Sequence, residues 1–258
     1  MIRFFVVACI SLVLHATAAR AETNPALIAE CFDAEPRYYM EGIKVKGLGI
    51  ELLQYISSKA SRKITYRDEI TPLARAENNL LAGDIDIILG IGKTPARAQN
   101  YVIGESLFEQ STMAVVRKND TTTFKTLKDF VDLGDRGVVL GVRSASVTTA
   151  LKSVPGLVVD DAANNIEQAL EKLVAERGRV AIYNNVNTPF VMKKPQFAGQ
   201  LKVADLDFSL ASSLVVTPQY IMFSKKVSPE TVAEINGIIA KGKENGDIGK
   251  ILAKYDIK

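Results

Sequence analysis

Short apolar runs that stop at Gly, Ser or Asn alternate along this chain with segments of helical period. That alternation constrains the fold more than any single motif. Residues 85–89 run into Gly90, Val138-Val139-Leu140 opens into Gly141-Val142-Arg143-Ser144, and Val180-Ala181-Ile182-Tyr183 ends in Asn184-Asn185. Runs of roughly 4–8 mostly apolar residues bounded by such breakers read as strands buried on both faces of a parallel sheet. Helical stretches lie between them. Residues 48–60 carry Ile50, Leu53, Ile56 and Ala60 on one face, and residues 73–82 stop at Gly83. Ile166, Leu170, Leu173 and Val174 form a stripe behind a cap at Asn164 or Asn165. Further strands are expected at 26–32, 64–66 and 157–159, and helices at 124–130 and 146–152. A last helix starts at Ser228-Pro229, with Val232, Ile235, Ile238 and Ile239 on its face. The pattern predicts an α/β protein of two units, each of roughly 100 residues, followed by a helical tail.

Such sheets place ligands beyond the carboxyl ends of their strands, so the residues just after strands carry the information. Three loops stand out. The first holds Glu35-Pro36-Arg37-Tyr38-Tyr39. Tyr38 and Tyr39 are either packing residues or one wall of a small-molecule site, since each joins a flat apolar face to a hydroxyl. The second is Gly90-Ile91-Gly92-Lys93-Thr94-Pro95-Ala96-Arg97. Gly90 and Gly92 let the backbone approach a ligand, Thr94 adds a hydroxyl, and Arg97 offers a two-pronged contact to a carboxylate. A dinucleotide fingerprint is excluded, because its third glycine and ribose-binding acid are missing. The third is Arg143-Ser144-Ala145-Ser146, where Ser144 and Ser146 stand at a helix start suited to a polar or anionic group, or to ordinary capping. Asn185 takes the equivalent place after the strand at 180–183.

The first 21 residues read as an export signal: Met1-Ile2-Arg3, an apolar run from 4 to 14, and Ala19-Arg20-Ala21 before Glu22. A competing lipidation motif at Val6-Val7-Ala8-Cys9 would leave too short an apolar core. His15, the single histidine, and Cys9 both lie in the signal, so the exported chain keeps Cys31 and no histidine. That excludes His-based triads, His-ligated zinc and an intrachain disulfide; no metal and no cofactor is expected. Losing Arg3 and Arg20 from 32 basic residues leaves the basic count one above the 29 acidic ones, which gives no electrostatic footprint for nucleic acid. No later apolar run is long enough for a membrane span, and the expected location is the periplasm. Glu35, Asp68, Glu69, Asp160 and Asp161 are candidate acids, but none has a partner at a diagnostic spacing, so no catalytic residue is expected.

Several stretches resemble the bacterial extracellular solute-binding proteins of family 3, the receptors of polar amino acid ABC transporters. The most specific is Ala82-Gly83-Asp84-Ile85-Asp86-Ile87-Ile88 followed by Thr94-Pro95-Ala96-Arg97. Residues 47–53, 124–130 and 220–225 and the closing Lys254-Tyr255 also fit, so the resemblance covers nearly all of residues 22–258. It implies a two-lobed, type II periplasmic-binding fold with two crossing hinge strands, near 113–117 and 219–223. Lobe one would be residues 22–114 plus 222–258, and lobe two 115–221. It further implies a ligand carboxylate on Arg97, an aromatic wall near Tyr38 or Tyr39, a hydroxyl loop at Ser144 and Ser146, and Arg75 facing the cleft.

Two departures bear on the ligand. The aspartate that holds an amino acid's ammonium in the family is replaced here by Asn184-Asn185, and the loop from Gly90 to Arg97 is one residue shorter, with glycines for serines. A small carboxylate-bearing solute lacking an ammonium fits this better than a standard amino acid. The expected protein is a monomeric periplasmic receptor that delivers a small solute to the membrane permease of an ABC importer. The alternatives are a sensor or dehydrogenase partner on the same fold, or a cyclohexadienyl dehydratase-like enzyme with Glu35 as acid.

Overall fold

A computed structural model describes residues 25–209 and 216–257; the export signal expected at 1–21 lies outside them. The first half of the chain gives β1 (Leu27–Phe32), β2 (Tyr39–Glu41), β3 (Lys44–Lys46), α1 (Leu48–Lys59), β4 (Ile64–Thr71) and α2 (Leu73–Ala82). It continues with β5 (Ile87–Gly92), α3 (Pro95–Asn100) and β6 (Val102–Arg117). The second half gives α4 (Leu127–Leu133), β7 (Val139–Val142), α5 (Ser146–Lys152), β8 (Val159–Ala163) and α6 (Ile166–Val174). It ends in β9 (Val180–Asn184), α7 (Asn187–Met192), β10 (Leu201–Ala204), β11 (Val216–Phe223), α8 (Pro229–Glu244) and α9 (Asp247–Ala253). The architecture is the α/β one the alternation predicts.

One continuous path of strands runs β4-β1-β5-β11-β6-β9-β7-β8, with β10 also on β6. The pairs β1–β4, β1–β5, β7–β8 and β7–β9 are parallel, while β11 runs antiparallel to β5 and β6. β6 is the long link. It pairs with β11 as far as Ser111, then with β9 from Thr112 onward. Apolar side chains gather on either side of that change of partner. Leu27, Leu53, Ile87, Phe108, Ile221, Phe223 and Ile235 belong to a cluster on one side, beside a smaller one around Phe32, Tyr38 and Met222. Val115, Phe130, Leu140, Leu170, Val180 and Phe197 form the cluster on the other. Ile221, expected as the last residue of lobe two, packs with the first group.

Local chemistry sets most boundaries. α2 stops where Gly83 turns left-handed at φ 74° and its N–H returns to Asn79 and Leu80. Asn165, not Asn164, caps α6 by accepting from the Gln168 N–H, and Ser228 caps α8 from Thr231 with Pro229 in the first turn. Other boundaries move. The helix expected at 124–130 starts at Leu127, because the Asp129 carboxylate accepts the N–H groups of Lys125 and Thr126 and fixes the start there. Phe124 remains outside and stacks on Phe130 at 4.4 Å. The strand expected at 157–159 begins only at Val159 and runs through Asp160, which pairs with Leu140 of β7, and Asp161, which lies where that register shifts. The strand expected at 64–66 continues to Thr71 along β1.

Candidate functional site

A cleft opens where β6 changes partners. Phe32 at the end of β1, Ile91 and Gly92 at the end of β5, Gln110–Thr112 on β6, Thr217 and Gln219 on β11, and Tyr183 and Asn184 at the end of β9 line it. Ser146 and Val147 at the start of α5, with Arg37 and Arg97, complete the wall. The free space is about 30 Å³, room for about one water molecule. The two sides touch here. Asn165 Nδ2 donates to Asp33, Asn187 Nδ2 to the Glu35 carbonyl, and Lys194 bridges Glu35 at 2.8 Å and Glu167 at 2.5 Å. Burial raises the Asp33 carboxyl above its ordinary value, which the Asn165 hydrogen bond partly offsets.

Arg97, Gly92 and Ser146 are the expected site residues that reach this cleft. Arg97 is 4% exposed and already engaged by the protein. Its Nε donates to Glu77 at 2.5 Å, Nη1 to the Gly92 carbonyl at 2.6 Å and Nη2 to the Ser144 carbonyl at 2.5 Å, on the far side of the cleft. Gly92 is glycine for a packing reason: a Cβ there would stand 2.2 Å from the Ser146 hydroxyl.

The other expected residues lie elsewhere. Tyr38 is fully buried under α1 and donates to the Leu89 carbonyl at 3.1 Å, so it supports the strand from below rather than walling the cleft. Burial raises its phenol well above the ordinary value. Tyr39 begins the β2–β3 hairpin, away from the cleft. Arg75 is exposed on α2, because Leu73, Ala76 and Leu80 are the buried face of that helix. Thr94 caps α3 by accepting the Arg97 N–H. Ser144 adopts φ 61° and contributes its carbonyl rather than its hydroxyl. Glu35 points to Lys194 beside the cleft. Asn185 is exposed and exchanges hydrogen bonds with the Ser111 backbone. Asn184, one residue earlier, faces the cleft, but its Oδ1 accepts the N–H groups of Val186 and Asn187 and thereby starts α7.

Arg37, rather than its tyrosine neighbours, is the residue of the first loop that reaches the cleft. It is 3% exposed and lies 5.3 Å from the Phe32 ring centre and 5.6 Å from that of Phe108. Nη1 donates to the Gly90 carbonyl and Nε has no partner among the described residues. Gly90, at φ 83°, leaves the room: a Cβ would come within 2.8 Å of Arg37 Cδ. Burial lowers the guanidinium from its ordinary value while Tyr183 and Tyr38 raise it. Gln110 Nε2 is a second buried donor without a partner among the described residues. The signal was a cation next to a proline in an aromatic-rich loop after a strand.

Among the described residues no cluster of His, Cys, Asp and Glu could hold a metal, and no helix is long and apolar enough to cross a membrane. Cys31 is buried and its thiol is pushed up to about 12, by burial first and then by Glu30 and Asp68.

The fold and the cleft at a change of strand partners define a two-lobed, type II periplasmic-binding architecture. The chain belongs to the bacterial extracellular solute-binding proteins, family 3, whose model matches residues 28–257. It is 22% identical to the arginine-binding extracellular protein ArtP of Bacillus subtilis (strain 168), over 97% of this chain and 95% of ArtP. Its fold is similar to that of an ancestral arginine-binding protein bound to arginine, with a TM-score of 0.74, 22% identity, and 90% and 99% of the two chains covered. It is also similar to the amino acid ABC transporter substrate-binding protein AbpA of Streptococcus pneumoniae bound to L-arginine, with a TM-score of 0.73, 18% identity, and 91% and 96% covered.

Proposed function

We propose that this protein is the periplasmic receptor of an ABC importer, a monomer that clasps a small carboxylate-bearing solute and presents it to a membrane permease. The observation that carries this is the cleft itself: two buried guanidiniums, Arg37 and Arg97, and, among the described residues lining it, no carboxylate. Residues 22–114 plus 222–258 act as one lobe and 115–221 as the other, a division supported by the separate apolar clusters on either side of the β6 hand-over except at its edges, where Ala114 packs with the second cluster and Ile221 with the first. The lobes open to admit solute, since the closed cleft has room for only about one water molecule, and the contacts of Lys194, Asn165 and Asn187 across it re-form as far as the bound solute allows. An N-terminal signal at 1–21 exports the chain.

The non-enzymatic reading is supported by the engagement of the acids near the cleft: Glu35 pairs with Lys194 and Glu77 with Arg97. The test is a thermal-shift screen of the exported chain against amino acids, hydroxy acids and dicarboxylates. At about 100 times its dissociation constant a ligand adds about 2.7 kcal/mol, a rise of roughly 5–10 °C. A shift with one carboxylate class supports the receptor. A well-folded protein indifferent to the whole panel favours a sensor or docking partner on the same fold.

A further inference from the structure

We propose that Arg37, rather than the motif residue Arg97, is the anion-binding residue of the cleft, and that the solute it selects is a small carboxylate carrying no ammonium group. This rests on the cleft being a solute site. Glu77 answers the Arg97 charge at 2.5 Å, and the three nitrogens of that guanidinium each donate to a protein oxygen. Arg37 is buried as deeply, yet its cause for burial is not an ion pair. Its contacts are a carbonyl and two aromatic faces, and no carboxylate pairs with it among the described residues. A guanidinium keeps its proton in proteins, so it cannot relieve the cost of burial by neutralising. A buried charge without a partner is expensive enough that a site keeps one only for something absent from the bare chain. Nε of Arg37 and Nε2 of Gln110 are two unpartnered donors in the same cleft, which suits an acceptor-rich group such as a carboxylate.

The same geometry disfavours a zwitterion. An α-ammonium is best met by a carboxylate, and among the described residues the lining holds no acidic one. The side-chain oxygen nearest in role, Asn184 Oδ1, already accepts two backbone N–H groups. Binding an amino acid would thus satisfy Arg37 and bring a second cation into a lining that offers it hydroxyl and amide oxygens but, among the described residues, no carboxylate. A hydroxy acid, an oxo acid or a short dicarboxylate satisfies Arg37 without that cost.

The experiment is titration calorimetry on the exported chain with lactate, pyruvate, succinate, L-alanine, L-glutamate and L-arginine, repeated with Arg37→Met, Arg37→Lys and Arg97→Lys. The amine-free acids should bind and the amino acids should not. Arg37→Met should weaken binding by about 100-fold and leave the unfolding midpoint of the ligand-free protein unchanged or higher. If Arg37→Met does not fold, Arg37→Lys keeps the charge but loses the fork and the ring contacts, and should still bind more weakly than wild type. Binding of an amino acid by wild type with undiminished affinity in the Arg37 variants overturns this proposal while leaving the receptor reading intact. No binding by wild type to any compound overturns both.

Discussion

Arg97 and Arg37 are buried to nearly the same depth, 4% and 3% exposed, beside the ends of neighbouring strands. Around Arg97 the chain supplies a carboxylate and two carbonyls, so the guanidinium works as a strut that ties α2, the end of β5 and the Ser144 turn together. Around Arg37 it supplies a carbonyl and two rings, and one nitrogen is left without a partner. Cys31, at the end of β1 beneath the same loop, shows a third response to burial: it stays neutral, because a thiol can hold its proton where a guanidinium cannot lose one. If Arg37 is the anion-binding residue proposed above, depth alone does not separate a structural cation from a binding one. What separates them is whether the protein meets the charge itself.

The contrast can be broken most forcefully at Glu77. Glu77→Gln leaves Arg97 buried without its counter-charge, at a cost of about 3–5 kcal/mol, or a fall of roughly 6–20 °C in the unfolding midpoint. A midpoint within about a degree of wild type would show that Arg97 is not a strut. Next in size is Gly90→Ala. It forces an L-residue to φ 83° and brings its Cβ within 2.8 Å of Arg37. A loss of about 1–2 kcal/mol is expected, readable by denaturant titration, together with weakened binding of whatever solute the cleft takes.

A smaller effect belongs to closure. Lys194→Ala removes the bridge between Glu35 and Glu167, all three partly exposed. Such pairs contribute about 0.2–1 kcal/mol, so affinity should fall a few-fold, and the difference should shrink as salt screens the pair. Equal affinity at low salt would show that the bridge is incidental to closure. The smallest response is expected at Cys31. With the thiol pushed up to about 12, folded protein at neutral pH should resist alkylation, while protein unfolded in guanidinium reacts fully. Fast labelling of the native state would mean the end of β1 opens readily.

The sequence carried the alternation of strands and helices because that pattern is written in short-range spacing. Gly83 ends α2, Asn165 starts α6 and Ser228-Pro229 starts α8, each through bonds made within a few residues. The motif around Asp84 to Arg97 carried the family for the same reason: it is a contiguous turn, helix start and strand. Boundaries set by distant partners were harder to read. β6 is 16 residues long because it serves β11 along one stretch and β9 and β10 along the other, and no local pattern declares that double duty. The site was legible only in part. Arg97, Gly92 and Ser146 reach the cleft, but which neighbour of a post-strand loop points inward depends on how the loop packs. Tyr38 fills the space under α1, where Gly49 makes room for its ring, and that placement turns Arg37 toward the cleft. Asn184 rather than Asn185 faces inward because β9 extends through Asn184 before the chain turns. By itself the sequence determined which elements form, since propensity, capping and periodicity act over a handful of residues. Tertiary structure alone decided which buried charge meets a counter-charge, because Glu77 and Arg97 lie 20 residues apart and Arg37 meets only what the folded rings of Phe32 and Phe108 bring to it.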